Sequence, residues 1–175
     1  MPSIPGHQCR KPSPENDEED IRRLREWVEK GEAWAQCMMG TSYRDGTDGL
    51  KQSYVMARLL FKKAVAQGDP AAMYDLAFLY AEGKGVVQSF EKAVELYTTA
   101  VEQGHAGATY NLANMYRGGR GVVQSFKKAA EFYTMAAEQG HVTAMYNLAT
   151  LYDEGEGLDQ SDGKAIQYYT MAAEQ

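Results

Sequence analysis

The chain has 175 residues, 44% of them apolar and 24% charged, and a formal net charge of −6. That size and balance suit one folded domain or a short repeat array. The acidic surplus argues against nucleic acid or an anionic membrane as partner, and there is no stretch of about 18 apolar residues that would read as a membrane span.

Residues 1–19 hold four prolines and close on an acidic cluster. They lack the apolar positions needed to offset the entropy of ordering, so a flexible lead-in is predicted. Nothing in them reads as the apolar centre of a signal peptide. Cys9 and Cys37 sit in unrelated contexts and make no disulfide framework, and no Asn-x-Ser/Thr acceptor occurs. A reducing, cytoplasmic location is the simplest expectation.

A helix is predicted over residues 20–31, with Ile21, Leu24 and Val28 at helical spacing, Trp27 beside them and Gly31 as its stop. Its end, Val28-Glu29-Lys30-Gly31, lines up with Val65-Ala66-Gln67-Gly68 further on. The segment therefore reads as the second helix of an incomplete repeat that caps the first full one.

From there the chain repeats itself. Residues 106–141 (AGATYNLANMYRGGRGVVQSFKKAAEFYTMAAEQGH) overlie residues 70–105 and 142–175 at a period of about 36 residues. A more divergent copy occupies residues 32–69, with one extra loop residue at Gly46-Thr47-Asp48-Gly49. A fixed period of this size signifies stacked supersecondary units.

Each unit divides into two helices. Helix A carries Ala72, Leu76, Leu79 and Tyr80, repeated as Ala108, Leu112, Met115, Tyr116 and as Ala144, Leu148, Leu151, Tyr152. Gly83 and Gly85 stop the first of these, since glycine takes the left-handed conformation at little steric cost. Val86, Val122, Leu158 and Leu50 then plug the loops into the core. Helix B starts after Ser53, Ser89, Ser125 or Ser161, each a suitable N-cap, and packs through Ala93, Tyr97, Ala100, Val101 and their equivalents Ala129, Tyr133, Ala136, Ala137. No strand-like alternation persists, so the fold class is all-α: a solenoid of stacked helix-turn-helix units. After Gln175 no capping segment follows, which leads us to expect a longer natural array and end-to-end self-association.

These residues resemble the Sel1-like repeat, a relative of the tetratricopeptide repeat. In the third copy the family's signature positions fall on Ala108, Leu112, Tyr116, Gly119, Gly121, Val122, Lys128, Ala129, Ala136, Ala137 and Gly140. Ala113 stands for the family's usual glycine, Ser125 for its aspartate cap and Tyr133 for its frequent tryptophan. The resemblance implies a right-handed superhelix with A helices on the concave side. It also implies an adaptor role, since family members assemble other proteins, among them degradation adaptors that work with ubiquitin ligases. A second, shorter resemblance is carried by Cys9-Arg10-Lys11-Pro12-Ser13-Pro14, which is similar to the tail of a RING finger. Gly6 stands where the paired cysteine would be, so this chain cannot build that zinc site.

Catalytic and metal chemistry find little support. His7, Cys9 and Cys37 fall short of the four ligands of a structural zinc, and no metal or cofactor is predicted. His105 and His141 lie one period apart and read as turn positions, because no acid or nucleophile recurs beside them. Gly118-Gly119-Arg120-Gly121 lacks the lysine and the preceding strand of a phosphate loop. Some cysteine-rich Sel1-like proteins are linked to β-lactam binding, but they carry paired cysteines in each repeat and this chain does not. The expectation is a protein that is not an enzyme.

A stripe beside the core face of helix A varies between copies while the core stays constant. It reads Ala71, Asp75, Phe78, Glu82; Gly107, Asn111, Asn114, Gly118; Thr143, Asn147, Thr150, Glu154. Repeat proteins hold partners on such a face. The predicted function is a protein-protein interaction scaffold with Asp75, Phe78, Glu82, Asn111, Asn114, Asn147, Thr150 and Glu154 as partner-binding residues. The alternative is the partner-binding portion of a ubiquitin ligase or degradation component. The asparagines have a second reading, as buried amides bonding backbone in the next repeat.

Overall fold

The structure of the chain, a computed structural model, describes residues 17–175. The RING-like residues 9–14 and most of the expected flexible lead-in lie outside the described residues. Among those described, all regular structure is helical: α1 (Asp17–Glu29), α2 (Ala33–Asp45), α3 (Tyr54–Val65), α4 (Pro70–Glu82), α5 (Phe90–Glu102), α6 (Ala106–Gly118), α7 (Phe126–Glu138), α8 (Val142–Glu154) and α9 (Asp162–Ala173). The chain forms two compact units, one ending at Ala72 and one beginning at Met73. The first turn of α4 belongs to the first unit and the rest of the helix to the second.

In the first unit α1 packs on α2, and α2 forms a hairpin with α3. Ile21, Met39 and Leu60 make the shared core, with Leu24, Val28, Tyr43 and Leu50 closing around it. α1 starts at Asp17, three residues before the sequence-based start, and Leu50 takes the plug position assigned to it. Phe61 is fully buried and lies over Gly40, where an added Cβ would come within 2.6 Å of the ring. The extra loop residue is absorbed by Asp48, which adopts φ 55° and accepts a 2.6 Å hydrogen bond from the Ser42 hydroxyl. Gln67 ties the end of α3 back to the α1–α2 turn, donating to the Gly31 carbonyl at 2.8 Å.

The second unit repeats one hairpin. α6 packs on α7 and α8 on α9, with α5 on α6 and α7 on α8 joining successive copies. Ala113, Ala129, Ala136 and Ala144 are buried completely beside Tyr133, Leu148 and Leu151. Small side chains at these positions let helix axes approach closely, and the aromatic rings fill the remaining volume.

The loops are built from paired caps. In every full repeat a Gln-Ser dipeptide bridges helix A to helix B. The glutamine amide donates to a carbonyl in the last turn of helix A: Gln52 to Arg44 (2.9 Å), Gln88 to Ala81 (2.7 Å), Gln124 to Arg117 (2.9 Å) and Gln160 to Asp153 (2.8 Å). The following serine accepts from the backbone N–H three residues on, at Met56, Lys92, Lys128 and Lys164. Both ends of the turn thus satisfy groups that helix termini leave open.

The second glycine of the last two loops has a further reason to be glycine. Gly121 and Gly157 have φ of 70° and 73°. A Cβ on Gly121 would lie 2.5 Å from the Phe90 carbonyl carbon, and one on Gly157 would lie 2.4 Å from the Lys127 nitrogen. The loop therefore touches the backbone at the start of the preceding helix B.

Candidate partner-binding face

The helix-A stripe in the second unit is held by the helix-B tyrosines. Tyr97 and Tyr133 are almost completely buried, yet each carries its hydroxyl to the edge of the core. Asn111 on α6 donates its amide to the Tyr97 hydroxyl at 3.0 Å, a separation of 14 residues. Tyr133 on α7 donates to Asn114 Oδ1 at 2.5 Å, 19 residues back on its own hairpin. Asn147 on α8, 14 residues ahead, and Arg117 on α6 also lie against the Tyr133 hydroxyl. In the last copy Thr150 and Tyr169 share a 3.2 Å hydrogen bond, again across 19 residues. Tyr133 thus faces stripe residues of its own repeat and of the next, Tyr97 one in the next repeat and Tyr169 one in its own.

Burial makes both phenols less acidic, raising their pKa above the ordinary tyrosine value. They remain neutral hydroxyls at physiological pH, able to donate and to accept. Among the described residues Asn111 and Asn114 do not bond backbone in the next repeat, as the structural reading of the asparagines had it. They bond to tyrosine hydroxyls, a relation that the reading of Tyr97 and Tyr133 as core filler had missed. The signal was present as a fixed 14-residue offset from Tyr97 to Asn111 and from Tyr133 to Asn147.

Helix A is capped by side chains that also touch this face. His105 accepts from the Ala108 N–H through Nδ1 at 3.1 Å, and His141 accepts from Ala144 at 3.2 Å. Their rings stack on Tyr74 and Tyr110 with centroids 4.7 and 4.4 Å apart. Asp69 performs the same capping for α4, accepting from Ala72 at 2.8 Å. The two histidines are therefore helix caps at the turn position.

The expected binding residues separate into groups. Phe78, Glu82, Asn111 and Asn114 line one cavity of about 250 Å³ together with Tyr74, Tyr97 and Arg120. Phe78 is half-buried and Glu82 exposed, and the Lys84 ammonium sits 5.0 Å from the centre of the Phe78 ring. Asp75 is buried, with 7% of its surface exposed. Asn147 and Thr150 are half-buried and Glu154 exposed, and none of the three borders that cavity. Arg120 and Tyr74 were not foreseen from the sequence: one looked like part of a helix stop, the other like a core aromatic. Among the described residues no cluster of three or more His, Cys, Asp or Glu side chains could hold a metal ion. Cys37 is buried in α2.

An all-helical array of repeated hairpins with a polar face over a constant alanine and tyrosine core is the architecture of a helical repeat protein. The chain belongs to the Sel1 repeat family, which it matches over residues 35–69, 70–105, 106–141 and 142–175. It is similar in structure to c5321, a protective antigen present in uropathogenic Escherichia coli strains that displays an SLR fold. The TM-score is 0.86 with 30% identity, covering 91% of this chain and 34% of that one. A Sel1 repeat protein from Oxalobacter formigenes superimposes with a TM-score of 0.77 and 32% identity, over 82% of this chain and 57% of the other. In sequence the chain is 36% identical over 69 residues to the ERAD-associated E3 ubiquitin-protein ligase component HRD3A of Arabidopsis thaliana. That stretch is 39% of this chain and 10% of HRD3A.

Proposed function

We propose that the chain is a non-enzymatic scaffold that holds a segment of a protein partner on the helix-A face of its second unit. The observation that carries this reading is Phe78. It replaces a polar stripe residue, stays half-buried at a cavity rim, and projects among hydrogen-bonding groups whose frame is rigidly set by buried tyrosines. An apolar anchor surrounded by polar groups is how small interfaces concentrate their affinity. Glu82, Asn147, Thr150 and Glu154 extend the same face and supply specificity rather than anchoring.

The test is a cross-linked pull-down from source-cell lysate with three baits. These are the parent chain, a Phe78→Glu/Glu82→Arg variant, and a control carrying Glu95→Arg on the exposed side of α5. Proteins lost with the first variant and kept by the control establish the face. Identical captures from all three baits rule the face out.

A second reading is favoured by the similarity to HRD3A: the scaffold serves a ubiquitin-ligase or degradation complex. It expects a ligase subunit or ubiquitin-conjugating enzyme among the proteins that Phe78→Glu/Glu82→Arg loses. A captured set without either counts against it.

A further inference from the structure

The tyrosine network has one gap. Tyr133 donates its hydroxyl proton to Asn114 and has Asn147 as a further partner, while Tyr169 is bonded to Thr150. At the position equivalent to Asn114 and Thr150, 19 residues before Tyr97, the chain has Phe78. A phenyl ring accepts no ordinary hydrogen bond. Among the described residues the Tyr97 hydroxyl has Asn111 as its hydrogen-bond partner, and in that bond it is the acceptor. No described residue accepts its proton, although only 1% of the tyrosine is exposed. A buried donor without an acceptor carries a penalty that a ligand can remove. The cavity of about 250 Å³ opens at this point, with Phe78, Tyr97, Asn111 and Asn114 all on its wall.

We infer that this cavity binds one residue of an extended peptide, whose backbone carbonyl accepts the Tyr97 hydroxyl proton while its apolar side chain rests on Phe78. The inference deepens the scaffold reading and rests on it. Three observations select this occupant. The volume is below the roughly 300–1,000 Å³ of pockets that engulf whole small molecules, so a single residue fits. Glu82 and Arg120 border the cavity with opposite charges, so neither an anion nor a cation is favoured and a neutral acceptor suits the site. Phe78 and Met115 provide the apolar wall beside the donor.

The experiment titrates N-acetyl-leucine N′-methylamide, one capped residue, into the isotopically labelled full chain and follows backbone amides by NMR. A ligand of that size should bind with a Kd on the order of 1 mM, with shifts centred on Phe78, Tyr97 and Asn114. Tyr97→Phe should weaken binding about tenfold, the weight of one hydrogen bond from a buried donor. Phe78→Asn reproduces the arrangement of the third repeat, giving the hydroxyl an acceptor and removing the apolar wall. It should abolish the response without lowering the melting temperature, which separates binding from folding.

Shifts confined to another surface, or no response at tens of millimolar ligand, overturn the inference. So does a Tyr97→Phe variant that binds as the parent does. A response on this face that is unchanged in Tyr97→Phe leaves the scaffold reading standing and removes only the hydroxyl's role. A normal peptide response with no partner lost in the pull-down does the reverse.

Discussion

Tyr133 and Asn114 lie on the two helices of one hairpin, and the tyrosine hydroxyl donates to the asparagine carbonyl oxygen at 2.5 Å. Because Asn147 of the next hairpin lies against the same hydroxyl, one buried oxygen joins the internal packing of a repeat to its junction with the next. Nearest-neighbour coupling is what stabilises a repeat array. Here part of that coupling is polar and specific in position.

Removing the hydroxyl should therefore cost more at Tyr133 than at Tyr97. Tyr133→Phe breaks the bond to Asn114 and loses the contacts with Asn147 and Arg117, and is expected to lower stability by about 1–2 kcal/mol. Tyr97→Phe breaks one and removes a donor without an acceptor, so it should cost about half as much or less. Urea denaturation of the two variants gives the order. A larger loss at Tyr97 would contradict the network.

The loop glycines differ in what an alanine would meet. Gly104 and Gly121 both have positive φ, 79° and 70°, so alanine at either is strained by about 1–2 kcal/mol. A Cβ at Gly104 meets nothing within 4 Å, whereas one at Gly121 meets the Phe90 backbone at 2.5 Å. Gly121→Ala should lower stability at least twice as much as Gly104→Ala in the same denaturation experiment. Equal losses would mean that the loop moves freely off α5.

The Gln-Ser bridges predict two separable capping losses. Ser125→Ala removes the acceptor for the Lys128 N–H and should cost about 1 kcal/mol. Gln124→Ala frees the Arg117 carbonyl, which stays near solvent, and should cost about 0.5–1 kcal/mol. Hydrogen exchange should show the first change as faster exchange at the start of α7. If protection there matches the parent, the cap is not contributing.

His141 gives the array a pH dependence of known sign. Its Nδ1 must be unprotonated to accept from Ala144, and burial lowers its pKa from the ordinary 6.5. The unfolded chain then takes up the proton more readily than the folded one. The cap's contribution is complete above about pH 6.5 and declines as pH falls through the folded-state pKa. The melting temperature should drop between about pH 7.5 and 5.5, and less so in His141→Asn, which keeps a capping acceptor that does not titrate in that range. An equally steep profile in the variant would assign the pH dependence elsewhere.

The helix-A and helix-B stripes and the serine caps were legible because each is a local rule written several times at one period. A serine caps the helix that follows it, and an alanine every turn marks a close helix contact, whatever lies beyond. The capping glutamines and histidines recur just as regularly. They escaped notice because glutamine is an uncommon cap and a histidine pair first invites a question of chemistry.

What only the tertiary structure decided is where the tyrosine hydroxyls end. Tyr97 and Tyr133 have the spacing and burial of core residues, and their sequence neighbourhood gives no direction to the terminal oxygen. That direction follows from how two helices cross, which brings together residues 14 or 19 positions apart on different helices. The asparagines thus became part of the frame, and Phe78, half-buried like Asn114 and Thr150, became the place where the frame leaves a donor open. The sequence by itself determined the array, since helical periodicity and capping act over a few residues. The site was decided by packing, since a hydrogen bond between separate helices exists only once their axes are set.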